Sequence, residues 1–231
     1  MGHEPQTILQ TWWGALVEPH RAGRIVLGSE APPGFTRRLT LAVAVLYCIY
    51  GVSMGSYRGI YPALISGLKL PFLYLFSLLV CFPPLYVLNG LLGPRLSPRQ
   101  CMRLLVLAMS ANAAALASYA LFSLFFGLTT SHAQDGYSFL VLMHVGVFAT
   151  SGCLSLTVIG MIFRATAREL GRRLHPAFLA GWGILYGVVG AQTAWLLRPW
   201  IGTWDIPYQP LRPIEGSFFE SVWMLLADKL G

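Results

Sequence analysis

Three polar side chains sit inside runs that are otherwise apolar: Asn112 in "MSANAAAL", His144 in "VLMHVGVF", and Gln192, followed by Thr193, in "GAQTAW". His144 is the one histidine placed in the middle of such a run. An ionisable group at membrane depth is by default a candidate functional group. Two chemistries suit this set. A neutral imidazole can share a hydrogen bond with a Ser, Thr or Asn on a facing helix, with Asn112, Gln192 and Thr193 as candidates. Alternatively, Asn112, His144 and Gln192 can line a polar pathway through an oligomer. Either way, all three should point into a helical bundle, because each is costly against hydrocarbon.

The remaining inventory is thin. The apolar runs hold no Asp or Glu, so a carboxylate proton relay, an aspartyl intramembrane protease or a carboxylate-ligated metal would lack its acid. Ser53 and His144 are present, but neither lies in the Gly-x-Ser setting of a serine intramembrane protease. Cys48, Cys81, Cys101 and Cys153 contain no C-x-x-C pair and read as small apolar residues. No Gly-rich phosphate loop occurs. The expectation is no catalytic, cofactor-binding or metal-ligating residue, and no cofactor. An enzyme would need an interfacial site using Arg58, Lys69 and the C-terminal tail.

What must position these residues is set by composition. The 231-residue chain is 55% hydrophobic and 11% charged, with a mean hydropathy of +0.61. Soluble domains carry about 25% charged residues, so this chain lacks the charge to cover a water-facing surface. Five runs are long enough to cross a bilayer: Leu39–Tyr57, Leu70–Leu88, Cys101–Gly127, Phe139–Phe163 and Pro176–Leu197. The loops between them are short and leave no room for a second globular domain. No cleavable signal is expected, because the first 38 residues are polar and broken by Pro5, Pro19, Pro32 and Pro33.

Basic residues predict the orientation. Arg21, Arg24, Arg37, Arg38, Arg95, Arg99, Arg103, Arg164, Arg168, Arg172 and Arg173 fall on one side of a five-span chain, eleven of the sixteen Lys and Arg. Arg58, Lys69, Arg198, Arg212 and Lys229 fall on the other, offset by Asp135, Asp205, Glu215, Glu220 and Asp228. The N-terminus is therefore expected in the cytoplasm and the C-terminus outside. The net charge of +7 belongs to this asymmetry, and a basic face on anionic lipid explains it without nucleic acid.

Local signals mark boundaries. "SPRQ" (Ser97–Gln100) is a capping box with Pro at the first helical position and should open the third span. "SFFE" (Ser217–Glu220) repeats the pattern and predicts a short interfacial helix over about residues 218–230. "QTILQTWWGALVEP" (residues 6–19) reads as an interfacial helix anchored by Trp12 and Trp13, or as a helix docked on the bundle. Pro83 and Pro84 should bend or break the second span. Gly51, Gly55 and Gly59 in the first span, and Gly183, Gly187 and Ala191 in the fifth, form four-residue ladders that allow close backbone approach.

The tail "RPWIGTWDIPYQPLRPIEGSFFESVW" (residues 198–223) is too aromatic and Pro-rich for a free end. It should fold over the outer mouth of the bundle as a cap, covering an apolar connection at residues 60–68. Arg58, Lys69, Arg198, Asp205, Glu215, Trp204 and Trp223 are its candidate residues, with a carboxylate beside one of the cations. The alternative is an aromatic belt lying flat on lipid.

"LKLPFLYLFSLLVCFPPLYVLNGLLG" and the terminal "LRP-aromatic-IG" stretch resemble an uncharacterised bacterial multi-pass membrane family, and the five-span topology is similar to that of Yip1-like proteins. The resemblance implies membrane organisation or partner binding in an inner membrane, with no catalytic residues to carry over. The sequence thus predicts an all-α integral membrane bundle of five transmembrane helices with interfacial N- and C-terminal helices. Its segments are an N-terminal part (1–38), a five-span domain (39–198) and an outward tail (199–231). The functional expectation is a non-enzymatic scaffold or subunit of a membrane complex. Its partners would be the lipid bilayer and another membrane protein or a second copy. The alternative is a small oligomeric channel or transporter.

Overall fold

The computed structural model describes residues 7–131, 133–172, 176–202 and 209–211. Among these the fold is all-α. Two short helices, α1 (Ile8–Val17) and α2 (Pro19–Leu27), precede α3 (Phe35–Gly55) and a 3-10 turn (Ser56–Arg58). Then come α4 (Ile60–Leu92), α5 (Pro98–Ser118), α6 (Ala120–Thr129), α7 (Gln134–Glu169) and α8 (Pro176–Leu196). Five stretches are long and apolar enough to cross a membrane: Phe35–Arg58, Ile60–Leu92, Pro98–Thr129, Asp135–Glu169 and Ala177–Leu196. The chain is a helical membrane bundle.

Helix α4 differs most from the sequence expectation. The apolar stretch at 60–68 is no connection but the first two turns of α4, and Gly59 alone joins it to the preceding turn. Gly59 sits at φ 104°, a conformation that favours glycine. It is the corner of the hairpin and not a rung of a packing ladder. Pro83 and Pro84 do not break the helix, which continues to Leu92 with Pro71, Pro83 and Pro84 inside it. The carbonyls left without N–H partners belong to Leu79 and Val80, whose side chains are exposed, so the loss falls on the outside of the bundle. At 33 residues, α4 is ~50 Å long against ~30 Å of hydrocarbon, so it must tilt or protrude.

The α3–α4 hairpin is the tightest seam. A Cβ on Gly51 would lie 2.5 Å from the Ser66 carbonyl oxygen, and one on Gly55 would lie 2.5 Å from that of Pro62. Only glycine permits this backbone approach. The third span is two helices, because the chain tightens at Tyr119, whose N–H reaches back to Leu116 and Ala117. No Pro or Gly marks that break. The capping box before α5 forms as the sequence suggests: Ser97 Oγ accepts from the Gln100 N–H, and Gln100 Oε1 accepts from the Ser97 N–H.

The N-terminal part docks on the bundle. Trp12 Nε1 donates to Ser110 Oγ at 2.6 Å, and Thr11 and Ala15 are buried, while Trp13 is exposed. Of the two tryptophans expected as headgroup anchors, only Trp13 is free to be one. Helix α2 lays Ala22, Ile25 and Val26 into the core and crosses α7 at Gly23, opposite Ala165 and Glu169. Its last carbonyls, Val26 and Leu27, accept from Arg103 and Gln100. Arg24 binds Glu30 at 2.5 Å, and that carboxylate raises the guanidinium pKa.

These contacts fix which residues share an end. Helix pairing from Gly51–Ser66 to Gly55–Pro62 makes α3 and α4 antiparallel, and Phe163 against Phe178 does the same for α7 and α8. Arg37, Arg38, Arg95, Arg99, Arg103, Arg164 and Arg168 therefore gather at the end carrying α2. Arg58, Lys69 and Arg198 stand at the opposite end.

Candidate functional site

Asn112, His144 and Thr193 of the predicted polar set are buried, but Asn112 and His144, on facing helices, do not meet each other. Asn112 on α5 is 6% exposed, and its Oδ1 accepts from the Tyr47 hydroxyl at 3.0 Å. His144 on α7 is 4% exposed, and its Nδ1 lies 2.8 Å from the Tyr50 hydroxyl. Both partners come from α3. Their signal is in the sequence: Tyr47 and Tyr50, three residues apart in "LYCIY", share a helix face with Gly51 and Met54. Reasoning that sought only Ser, Thr, Asn or Gln as partners missed them. Gln192 is half-buried on α8, and Thr193 bonds within its own helix, to the Val189 carbonyl at 2.8 Å.

Asn112 and His144 both border a cavity of about 830 Å³, whereas Gln192 and Thr193 do not. Aromatic pairs build its walls. Tyr47 stacks on Tyr74 with ring centroids 4.1 Å apart, Trp182 stacks on Tyr186 at 5.3 Å, and the Tyr186 hydroxyl donates to the Tyr74 carbonyl. The opposite wall is α7, with Val141, His144 and Phe148. The Trp182 indole N–H and the Ser77 hydroxyl, both on the lining residues, have no hydrogen-bond partner among the described residues.

The second glycine ladder is what makes the space. Gly183 would bring a Cβ to 3.4 Å of Leu156, but one on Gly187, or on Gly190 just outside the ladder, would meet nothing within 4 Å. The stripe on α8 therefore does not seat a neighbouring helix, as the spacing suggested; it fronts the cavity. Helices α7 and α8 touch near the basic end, at Phe163–Phe178, and part towards the other. Val145 and Leu156 line the cavity and are exposed, so the chamber opens sideways, towards the bilayer.

The chamber ends under the start of the tail. Pro199, Trp200 and Ile201 contribute to its lining, and Ile201 is 6% exposed. Lys69, itself 8% exposed, donates to the Pro199 carbonyl at 2.9 Å and also to that of Pro210. Ser66 donates to the Trp200 carbonyl, and Trp200 Nε1 donates to that of Ala194. Arg198 stacks over the Trp195 ring, 3.7 Å from its centroid. Among the described residues, backbone carbonyls and aromatic contact thus hold the start of the strap. Asp205, Glu215, Trp204, Trp223 and the helix expected at 218–230 lie outside the described residues. Arg58 closes the α3–α4 hairpin and does not border the chamber.

Among the described residues no group of His, Cys, Asp and Glu is arranged to hold a metal. No family model, curated protein or solved structure matches the chain.

Proposed function

We propose that this chain is a non-enzymatic membrane scaffold or complex subunit whose specific act is to hold an apolar molecule drawn from the bilayer. The chamber carries this reading. It is apolar and aromatic, lies at membrane depth, opens between α7 and α8, and at about 830 Å³ falls in the ~300–1,000 Å³ range of small-molecule sites. Conduction of ions is less well supported. Asn112 and His144 border the space, but Tyr47 and Tyr50 already engage Asn112 Oδ1 and His144 Nδ1, and Gln192 lies off the wall. A side chain that fills the chamber tests the idea. In native mass spectrometry from mild detergent, the purified chain is expected to retain bound lipid, and Gly187→Phe to lose it while remaining folded. Equal lipid retention by both would overturn the reading.

The orientation belongs to the same proposal. The basic end carries most of the arginines and would rest on an anionic cytoplasmic surface, as in an inner membrane, with the strap outside. A cysteine at position 99 or 172 should then react with an impermeant maleimide only from the cytoplasmic side, and one at 205 only from outside. The reverse pattern would invert the assignment.

A further inference from the structure

Among the described residues one permanent charge borders the chamber, and its presentation is unusual. Arg198 borders the cavity just past the end of α8. Its guanidinium carbon lies over the Trp195 ring, 3.7 Å from the centroid. Stacking uses the face of the guanidinium and none of its five N–H donors, which radiate in the plane. Arg198 makes no ion pair with any described residue. The other two described cations at this end differ from it: Lys69 is spent on the strap carbonyls, and Arg58 sits in the hairpin turn, away from the chamber. Trp182, near the opposite end of the cavity, lies fourteen residues before α8 ends at Leu196 and so ~21 Å along the helix from that end. An elongated apolar space with a pre-oriented cation at one end has the form of an amphiphile: chain inside, anion at the rim.

We infer that the chamber binds an anionic phospholipid of the leaflet on the strap side, one acyl chain lying along the Gly183–Gly187–Gly190 stripe and the phosphate received by Arg198. The inference rests on the chamber reading above and adds the headgroup to it. A planar fork suits phosphate oxygens, which it can bind in bidentate fashion. The lateral opening between α7 and α8 makes the bilayer itself the source, so the ligand need not pass through water.

Native mass spectrometry of the full chain with equimolar phosphatidylglycerol and phosphatidylcholine tests this. The unaltered chain should retain phosphatidylglycerol with about tenfold preference: both lipids offer the phosphate, but phosphatidylcholine also brings a quaternary ammonium up against the Arg198 charge. Arg198→Gln should retain both lipids equally. Arg198→Lys, which keeps the charge but loses the fork, should fall between and serves if the glutamine variant does not fold. Gly187→Phe should retain neither. No preference in the unaltered chain, or an undiminished preference in both Arg198 variants, would overturn the headgroup assignment. The chamber reading would then still stand if Gly187→Phe abolished retention, and would fall with it if Gly187→Phe retained lipid. Preferential retention of added oleate over both phospholipids would assign the site to a free carboxylate and overturn the phospholipid. A loss of stability in Arg198→Gln with no change in lipid selectivity would assign the guanidinium to a carboxylate of this chain.

Discussion

Replacing Gly55 with valine is expected to cost about 3 kcal/mol of stability, the upper part of the range for overpacking, and to lower the thermal midpoint in detergent clearly. An added Cβ would lie 2.5 Å from the Pro62 carbonyl oxygen and 2.7 Å from the Ala63 Cα. Both obstacles are backbone and cannot turn aside, so the two helices must separate. Separation loosens the seam that places Tyr47 and Tyr50 against Asn112 and His144, and it reaches the chamber through Met54. Gly187→Val is the control within the other ladder. It meets nothing within 4 Å, so its effect should stay within about 0.5 kcal/mol. If the two valines destabilise equally, the contrast between a packed and an open stripe is wrong.

That contrast also marks how far the sequence can be read. Both ladders have the same spacing, and spacing reports only that small residues share a helix face. What that face meets depends on where neighbouring helices lie. The α3 stripe meets α4 because a one-residue turn forces the two together. The α8 stripe meets a void because its neighbour α7 diverges from it beyond Phe163–Phe178. The five spans were legible because a 30 Å hydrocarbon layer requires long apolar runs, whatever the tertiary arrangement. The start of α4 was not, since Lys69 and Pro62 look like punctuation in a sequence. In the fold, Pro62 falls in the first turn, where its missing N–H costs nothing, and Lys69 is buried against the strap. The candidate site was half legible. His144 and Asn112 stood out as polar residues in apolar runs, while Tyr47 and Tyr50 were hidden because tyrosine passes for an apolar residue until its hydroxyl finds a partner.

The turn between α4 and α5 supports the last expected result, at a residue that composition and motif reading passed over. Asn89 is 1% exposed and holds the turn from inside. Its Nδ2 donates to the Leu96 carbonyl at 3.1 Å, and its Oδ1 accepts from the Leu96 N–H at 3.3 Å. Its backbone carbonyl also accepts from Gly93 and Arg95. Arg95 is held at φ 58°, a conformation that a non-glycine residue adopts only under constraint. Leu96 itself is 3% exposed, so water cannot readily replace the side-chain bonds. Asn89→Leu keeps the branched shape but replaces the amide with methyl groups, and so strands one donor and one acceptor. Leaving such groups unpaired costs about 1–3 kcal/mol each, so a loss of at least about 2 kcal/mol is expected. Asn89→Asp still accepts from the Leu96 N–H but cannot donate to the carbonyl, and it should fall below the unaltered chain as well. The thermal midpoint in detergent gives the magnitude, and protease sensitivity at Arg95 shows whether the damage is local to the turn. Cleavage at Arg95 should rise in Asn89→Leu before any other site opens. An Asn89→Leu chain as stable and as protected at Arg95 as the original would show that the Ser97–Gln100 capping box alone holds this corner.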